Sequence, residues 1–294
     1  MSVEVCHRGR SVRLALALIF AAMHVQSARA GSAVGDNRLK PIAEYVHSVW
    51  EAADGLPENA VQAIAKTADG YLWLGTEEGL VRFDGVRFTV FDRKNTDQMK
   101  DQDIRAICVA HDGSLWFGTL TGYLVRLKDG KFESVATKNE LGGNSVGAIH
   151  EDKSGIIWIA THGSGLLAYK DRRFTHYGTN DGLANNSVSS IADDGEGGLW
   201  IGTDGGLSRL SEGSFRSYTR NDGASIGAIW SLYRDGRGDL WIGTNKGGLD
   251  LYSNGRFVSY TKRDGLPSNS VSAIYEDEQG SLWVGTLDAG LSRF

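Results

Sequence analysis

The chain alternates short apolar runs with turns of Gly, Asp and Asn, and it does so at a fixed interval. Six stretches hold a tryptophan between apolar neighbours and end in Gly-Thr or Ala-Thr: YLWLGT, SLWFGT, IIWIAT, GLWIGT, DLWIGT and SLWVGT. Their tryptophans are Trp73, Trp116, Trp158, Trp200, Trp241 and Trp283, spaced 43, 42, 42, 41 and 42 residues apart. A period of about 40–45 residues marks a propeller or solenoid and takes precedence over any single motif.

Each period reads the same way. An Asp or Asn stands 19 residues before the tryptophan, at Asp54, Asp97, Asn139, Asp181, Asp222 and Asp264. Seven residues after it begins a β-branched or apolar run (VQAI, IRAI, VGAI, VSSI, IWSL, VSAI). A polar turn leads to the tryptophan run, a Gly-Leu run follows (GLVRF, GLSRL), and an aromatic run closes the unit (RFTHY, SFRSY, RFVSY). Such runs, bounded by Gly and Asp, predict four strands of four to six residues. No stretch keeps a long 3.6-residue apolar period, so helix is expected to be nearly absent. Four short antiparallel strands per period describe a propeller blade, which buries its faces only by stacking on neighbours.

The last repeat reaches Phe294 after its third strand. Aligning Asp54-Gly55-Leu56-Pro57 with Asp264-Gly265-Leu266-Pro267 places Trp50 on Tyr260, the end of a fourth strand. The sequence thus predicts an all-β propeller of six four-stranded blades, with Glu44–Trp50 supplying the fourth strand of the sixth blade and closing the ring. The alternative is an arc cut from a seven-bladed ring.

The first thirty residues follow a different grammar. Arg8, Arg10 and Arg13 precede LALALIFAAM, and Ala28-Arg29-Ala30 offers small residues before a cleavage point. This pattern predicts a signal peptide over residues 1–30, then a short linker over 31–43 and the propeller over 44–294. Export to the periplasm or another extracytoplasmic space follows, with an inner-membrane anchor as the alternative reading of the leader. Without the leader, 27 Lys and Arg face 35 Asp and Glu, a net charge of −8. That argues against nucleic acid as a partner. Cys6 lies in the leader, so Cys108 stands alone and no internal disulfide is expected.

Candidate binding residues are those the repeat does not require. The loops between the second and third strands read TEEG, TLTG, THGSG, TDGG, TNKGG and TLDAG. They differ in length and charge, and they place Glu77, Glu78, His162, Asp204, Asn245, Lys246 and Asp288 on one face. Trp230 stands on a first strand where the other repeats carry Gln62, Arg105, Gly147, Ser189 and Ser272. A large aromatic there suits the floor of a pocket, and Arg105 in the same row suits an anionic group. The expected partner is a small ligand, an oligosaccharide among the candidates, with other propeller subunits as a further class. The histidines His47, His111, His150, His162 and His176 fall on different strands and loops without HExxH or CxxC spacing, so no metal or other cofactor is expected.

DGLPxNxV, the Asp/Gly turn, LWxGT, GLxRF and the aromatic strand together resemble the two-component regulator propeller repeats. The resemblance covers about residues 44–294. It implies an extracytoplasmic ligand-sensing propeller of the kind that bacterial sensor histidine kinases and diguanylate cyclases carry. It implies no catalytic activity for the propeller itself; any kinase or cyclase activity would belong to a further C-terminal part. Two alternatives stand beside it. One is a protein-interaction propeller. The other is a lyase of the streptogramin-inactivating kind, which would need a general base and a metal, drawn from His162 and Glu77 or Glu78.

Overall fold

A computed structural model describes residues 49–225 and 227–294. It shows a six-bladed all-β propeller. Blade 1 comprises β1 (Val61–Lys66), β2 (Leu72–Thr76), β3 (Gly79–Phe83) and β4 (Phe88–Phe91). Blade 2 comprises β5 (Ile104–Val109), β6 (Leu115–Thr119), β7 (Leu124–Lys128) and β8 (Lys131–Ala136). Blade 3 holds β9 (Val146–Glu151), β10 (Ile157–Thr161), β11 (Gly165–Lys170) and β12 (Arg173–Tyr177). Blade 4 holds β13 (Val188–Asp193), β14 (Leu199–Thr203), β15 (Gly206–Ser211) and β16 (Ser214–Tyr218). Blade 5 holds β17 (Ile229–Arg234), β18 (Leu240–Thr244), β19 (Leu249–Ser253) and β20 (Arg256–Tyr260). Blade 6 shows β21 (Val271–Glu276), β22 (Leu282–Thr286) and β23 (Gly290–Arg293) among the described residues. Strands pair antiparallel in chain order within every blade. The only helical pieces described are short 3-10 turns, such as Thr179–Asp181 and Lys262–Asp264.

The expected signal peptide, the linker and Glu44–Ser48 of the closing strand lie outside the described residues. Trp50 is described. Its ring meets Phe83 edge-on at 5.1 Å. Tyr218, at the end of β16, meets Tyr252 of the next blade in the same T-shaped way at 5.5 Å. Trp50 thus sits against blade 1 as a fourth-strand aromatic sits against the blade that follows it.

The tryptophans act as wedges. Trp73 packs into a core built from β5, β6 and β7 of the following blade. Trp116, Trp158 and Trp200 repeat this against blades 3, 4 and 5. Three indole N–H groups are satisfied by an aspartate: Trp158, Trp241 and Trp283 donate to Asp152, Asp235 and Asp277 at 2.8, 3.0 and 2.8 Å. Those aspartates lie six residues upstream, in the polar turn, where one carboxylate oxygen also caps the turn's backbone. The arginine of GLxRF has its own reason. Arg82, Arg126, Arg209 and Arg293 pair across the ladder with the tryptophans of their blades, and their guanidinium groups lie over the rings at 5.3–6.0 Å.

Gly-Thr after the tryptophan is equally specific. A Cβ on Gly75, Gly118, Gly202 or Gly243 would fall 2.4–2.9 Å from the first residue of the next blade's inner strand. Glycine here lets two blades approach. The following threonine is buried in all six blades. In five of them its hydroxyl donates to the glycine carbonyl across the 2–3 loop, at 2.7–2.9 Å.

Candidate ligand site at the bulged inner row

The first strands of successive blades lie side by side from β1 to β21 and form the inner layer of the propeller. Each of these strands carries one β-bulge against its second strand. The skipped residues are Gln62, Arg105, Gly147, Ser189, Trp230 and Ser272. They form the row in which Trp230 stands out in the sequence. A bulge inserts an unpaired residue and re-aims its side chain, and bulges collect next to binding sites. The row is half-buried throughout.

The row also meets the variable loops. In blades 2 to 6 the backbone N–H after the threonine donates to the carbonyl just before the first strand of its own blade: Leu120 to Asp103, His162 to Ser145, Asp204 to Ser187, Asn245 to Ala228 and Leu287 to Ser270, at 2.8–3.0 Å. This tie holds the 2–3 loops and the 4–1 connections on one face, as the sequence implies.

Blades 1 and 2 bring several expected residues together. Arg105 makes a two-point contact with Asp103, both legs at 2.6 Å, and approaches Glu77 at 3.5 Å. Gln62 donates to the same Glu77 oxygen at 3.3 Å, and Gln102 donates to Glu78 at 2.8 Å. Glu58 completes the patch; its Oε2 has no hydrogen-bond partner among the described residues. Burial, then the charge of Glu77, raises the Glu58 carboxyl above its ordinary value. Burial raises Asp103 as well; Arg105 opposes the rise, Glu77 and Asp101 add to it, and the net is upward. Carboxylates whose protons are held more tightly than usual mark candidate functional positions. Arg105 is already engaged by two carboxylates, so this patch favours a hydroxyl-rich or cationic group over the anionic one that Arg105 alone suggests.

The remaining expected residues are spread around the face. His162 lies on the blade 3 loop with Nδ1 3.4 Å from Ser187 of blade 4, and its Nε2 closes over Gly147, 3.0 Å from where a Cβ would stand. Trp230 is half-buried on β17. Asn245 is half-buried, whereas Asp204, Lys246 and Asp288 are exposed, each on its own loop. Lys246 adopts a left-handed φ of 68°. Glu58 and Asp103 are additions that the loop sequences did not single out. Asp103 had a readable signal, since the same position holds Ala60, Ser145, Ser187, Ala228 and Ser270 in the other repeats.

The model of the two component regulator propeller family matches residues 55–78, 98–121, 140–163, 182–205, 223–246 and 265–288. Among solved structures, the extracellular domain of BT3049 from B. thetaiotaomicron, described as a hybrid two component system, is 22% identical with a TM-score of 0.64. The match covers 84% of this chain and 41% of that one. PorZ, a surface component of the type-IX secretion system of Porphyromonas gingivalis, is 16% identical with a TM-score of 0.66, covering 80% and 38%. Virginiamycin B lyase from Staphylococcus aureus is 17% identical with a TM-score of 0.64, covering 81% of each chain. This chain therefore spans about two fifths of the first two. At these identities the likeness is one of fold. A search of curated proteins returns no match. No helix among the described residues is long and apolar enough to cross a membrane.

Proposed function

Because the chain belongs to the two component regulator propeller family, we propose that it is the ligand-sensing propeller of an extracytoplasmic two-component receptor and is not itself an enzyme. The observation that carries this reading is the bulged inner row. Six equivalent positions are turned out of the ladder, and the residues on them differ widely in size and polarity, from Gly147 to Trp230. Structural need alone asks for one residue type at one repeat position. The proposed ligand is a polyhydroxylated molecule of oligosaccharide type. Trp230 would offer it a flat apolar face, and Gln62, Glu77, Glu58 and Asp103 would accept or donate hydrogen bonds. The proposed compartment is the periplasm or cell exterior, in keeping with the family and with the leader-like first thirty residues.

The lyase reading keeps one specific support, the likeness to virginiamycin B lyase over 81% of both chains. Against it, His162 and Glu77 lie on different blades, one beside Ser187 and the other beside Arg105.

Thermal-shift and calorimetric screening against oligosaccharides separates the readings. The sensing reading expects a stabilising sugar, with about 2.7 kcal/mol gained at a hundredfold excess over Kd. Trp230→Ala should weaken that binding at least tenfold and leave the unliganded melting temperature within about 2 °C, under 1 kcal/mol for a domain of this size. Unchanged binding in Trp230→Ala would remove the row from the site. Cleavage of a streptogramin B by the chain would favour the lyase.

A further inference from the structure

Two positions in blade 5 depart from the repeat, and the fold sets them against each other. The residue two after the conserved Asp or Asn is Leu56, Met99, Leu141, Leu183 and Leu266 in five repeats, and all five are buried. Each joins the apolar core at its blade junction. Blade 5 has Ala224 there, and the corresponding core contains no side chain from that position. The second departure is on the third strand. The residue paired with the centre of the tryptophan strand is Val81, Val125, Leu167, Ser208 or Ser292 in the other blades, and Asp250 here.

Between blades 4 and 5 these substitutions leave a cavity of about 260 Å3. Ala224, Ser225 and Asp250 line it with Tyr218, Ile242 and Phe257. Asp250 is 1% exposed. Its Oδ2 accepts from Ser225 twice, from the backbone N–H at 2.8 Å and from the hydroxyl at 2.5 Å. Its Oδ1 has no hydrogen-bond partner among the described residues. Arg216, whose guanidinium lies over the Tyr218 ring, is turned to Asp222 at 3.9 Å and forms no ion pair with Asp250. A carboxylate oxygen removed from water without a donor is costly. The repeat shows that nothing in the blade requires it, because Val81, Val125 and Leu167 occupy the same place.

We propose that this cavity is a binding site for a small organic cation, an amine or amidine with a compact apolar or aromatic body. The cationic N–H would donate to Asp250 Oδ1 in a charge-assisted hydrogen bond. The body would occupy the space that a leucine fills in the sister repeats, beside the edge-to-face pair of Tyr218 and Phe257 rings. A cavity near 150 Å3 accommodates benzene, so this one suits a molecule of roughly ten heavy atoms. The proposal stands apart from the sensor reading above, since the cavity lies between blades and shares no residue with the bulged row.

Phenethylamine and its neutral counterpart 2-phenylethanol are the probes, titrated calorimetrically into the whole chain and into two variants. Phenethylamine should bind the wild type at least tenfold more tightly than the alcohol. Asp250→Asn, which keeps an acceptor toward Ser225, should lose that preference. Ala224→Leu installs the residue of the other repeats; it should fold at least as stably as the wild type and reduce phenethylamine binding at least tenfold. The proposal is wrong if phenethylamine does not bind at millimolar concentration, if the alcohol binds equally well, or if Ala224→Leu binds the amine like the wild type. None of these results bears on whether a sugar binds the inner row.

Discussion

At the scale of single residues, the carboxylates divide into two groups with opposite roles. In the polar turns, burial tends to raise Asp277, but the indole N–H of Trp283 and the backbone N–H groups of Ser281 and Gln279 outweigh it, and its proton is held less tightly than usual. Such a group stabilises the fold above the ordinary carboxylate range, and that contribution fades as pH falls through the lowered value. Glu58 is displaced upward by burial and by Glu77. Its folded form prefers the proton, so its contribution is present in acid and is lost as pH rises through the raised value. Glu58→Gln keeps the shape and removes the charge. It should raise the melting temperature at pH 7 and leave it unchanged near pH 3, below the ordinary range of about 4. Melting curves at the two pH values check this; an equal shift at both would mean that the charge of Glu58 is not the cause. The sequence made Glu77 and Arg105 visible as candidates. It did not make their mutual pairing visible, because that contact joins a loop of blade 1 to a strand of blade 2. It also hid Asp250 and Ala224, each unremarkable in its own run and odd only beside its five equivalents.

At the scale of elements, the strands and turns were legible because every apolar run recurs six times against the same Gly and Asp punctuation. The bulges were not. A bulge shifts the period-2 pattern by one residue, and in a strand as short as VQAI no alternation is left to reveal the shift. The close approach at LWxGT was also hidden, since it depends on the next blade. Of these glycines Gly118 fits most tightly against the next blade, with a Cβ 2.4 Å from Val146. Gly118→Ala should therefore cost about 1–3 kcal/mol, the usual penalty for overpacking, read as a lower urea midpoint at unchanged slope. Blade 3 already holds Ala160 at the equivalent place, fully buried, so the penalty belongs to the fit of the blade 2–3 junction and not to strand chemistry. A Gly118→Ala midpoint equal to that of the wild type would show that Val146 can yield.

At the scale of the molecule, the six-bladed architecture was readable from the tryptophan interval, and it is what the structure shows. Packing along the propeller is not uniform. Trp73, Trp116, Trp158 and Trp200 are buried, whereas Trp241 and Trp283 are half-buried, and β23 presents Leu291 to solvent at 37% exposure. A repeat architecture's stability is close to a sum over its units and their junctions. The threonine clamps have a consequence for this modular object. Five of the six 2–3 loops are closed at the stem by the same buried hydroxyl-to-carbonyl bond, so the stem is held in the same way whatever the loop above it contains. The face is a set of interchangeable tiles on a fixed frame. Exchanging the DGG of blade 4 for the NKGG of blade 5, stem threonine and closing glycine retained, should shift the melting temperature by no more than about 2 °C, under 1 kcal/mol. A larger loss would mean that the loops help to hold the frame. If the tiles do exchange, recognition can change one blade at a time while the fold stays as it is.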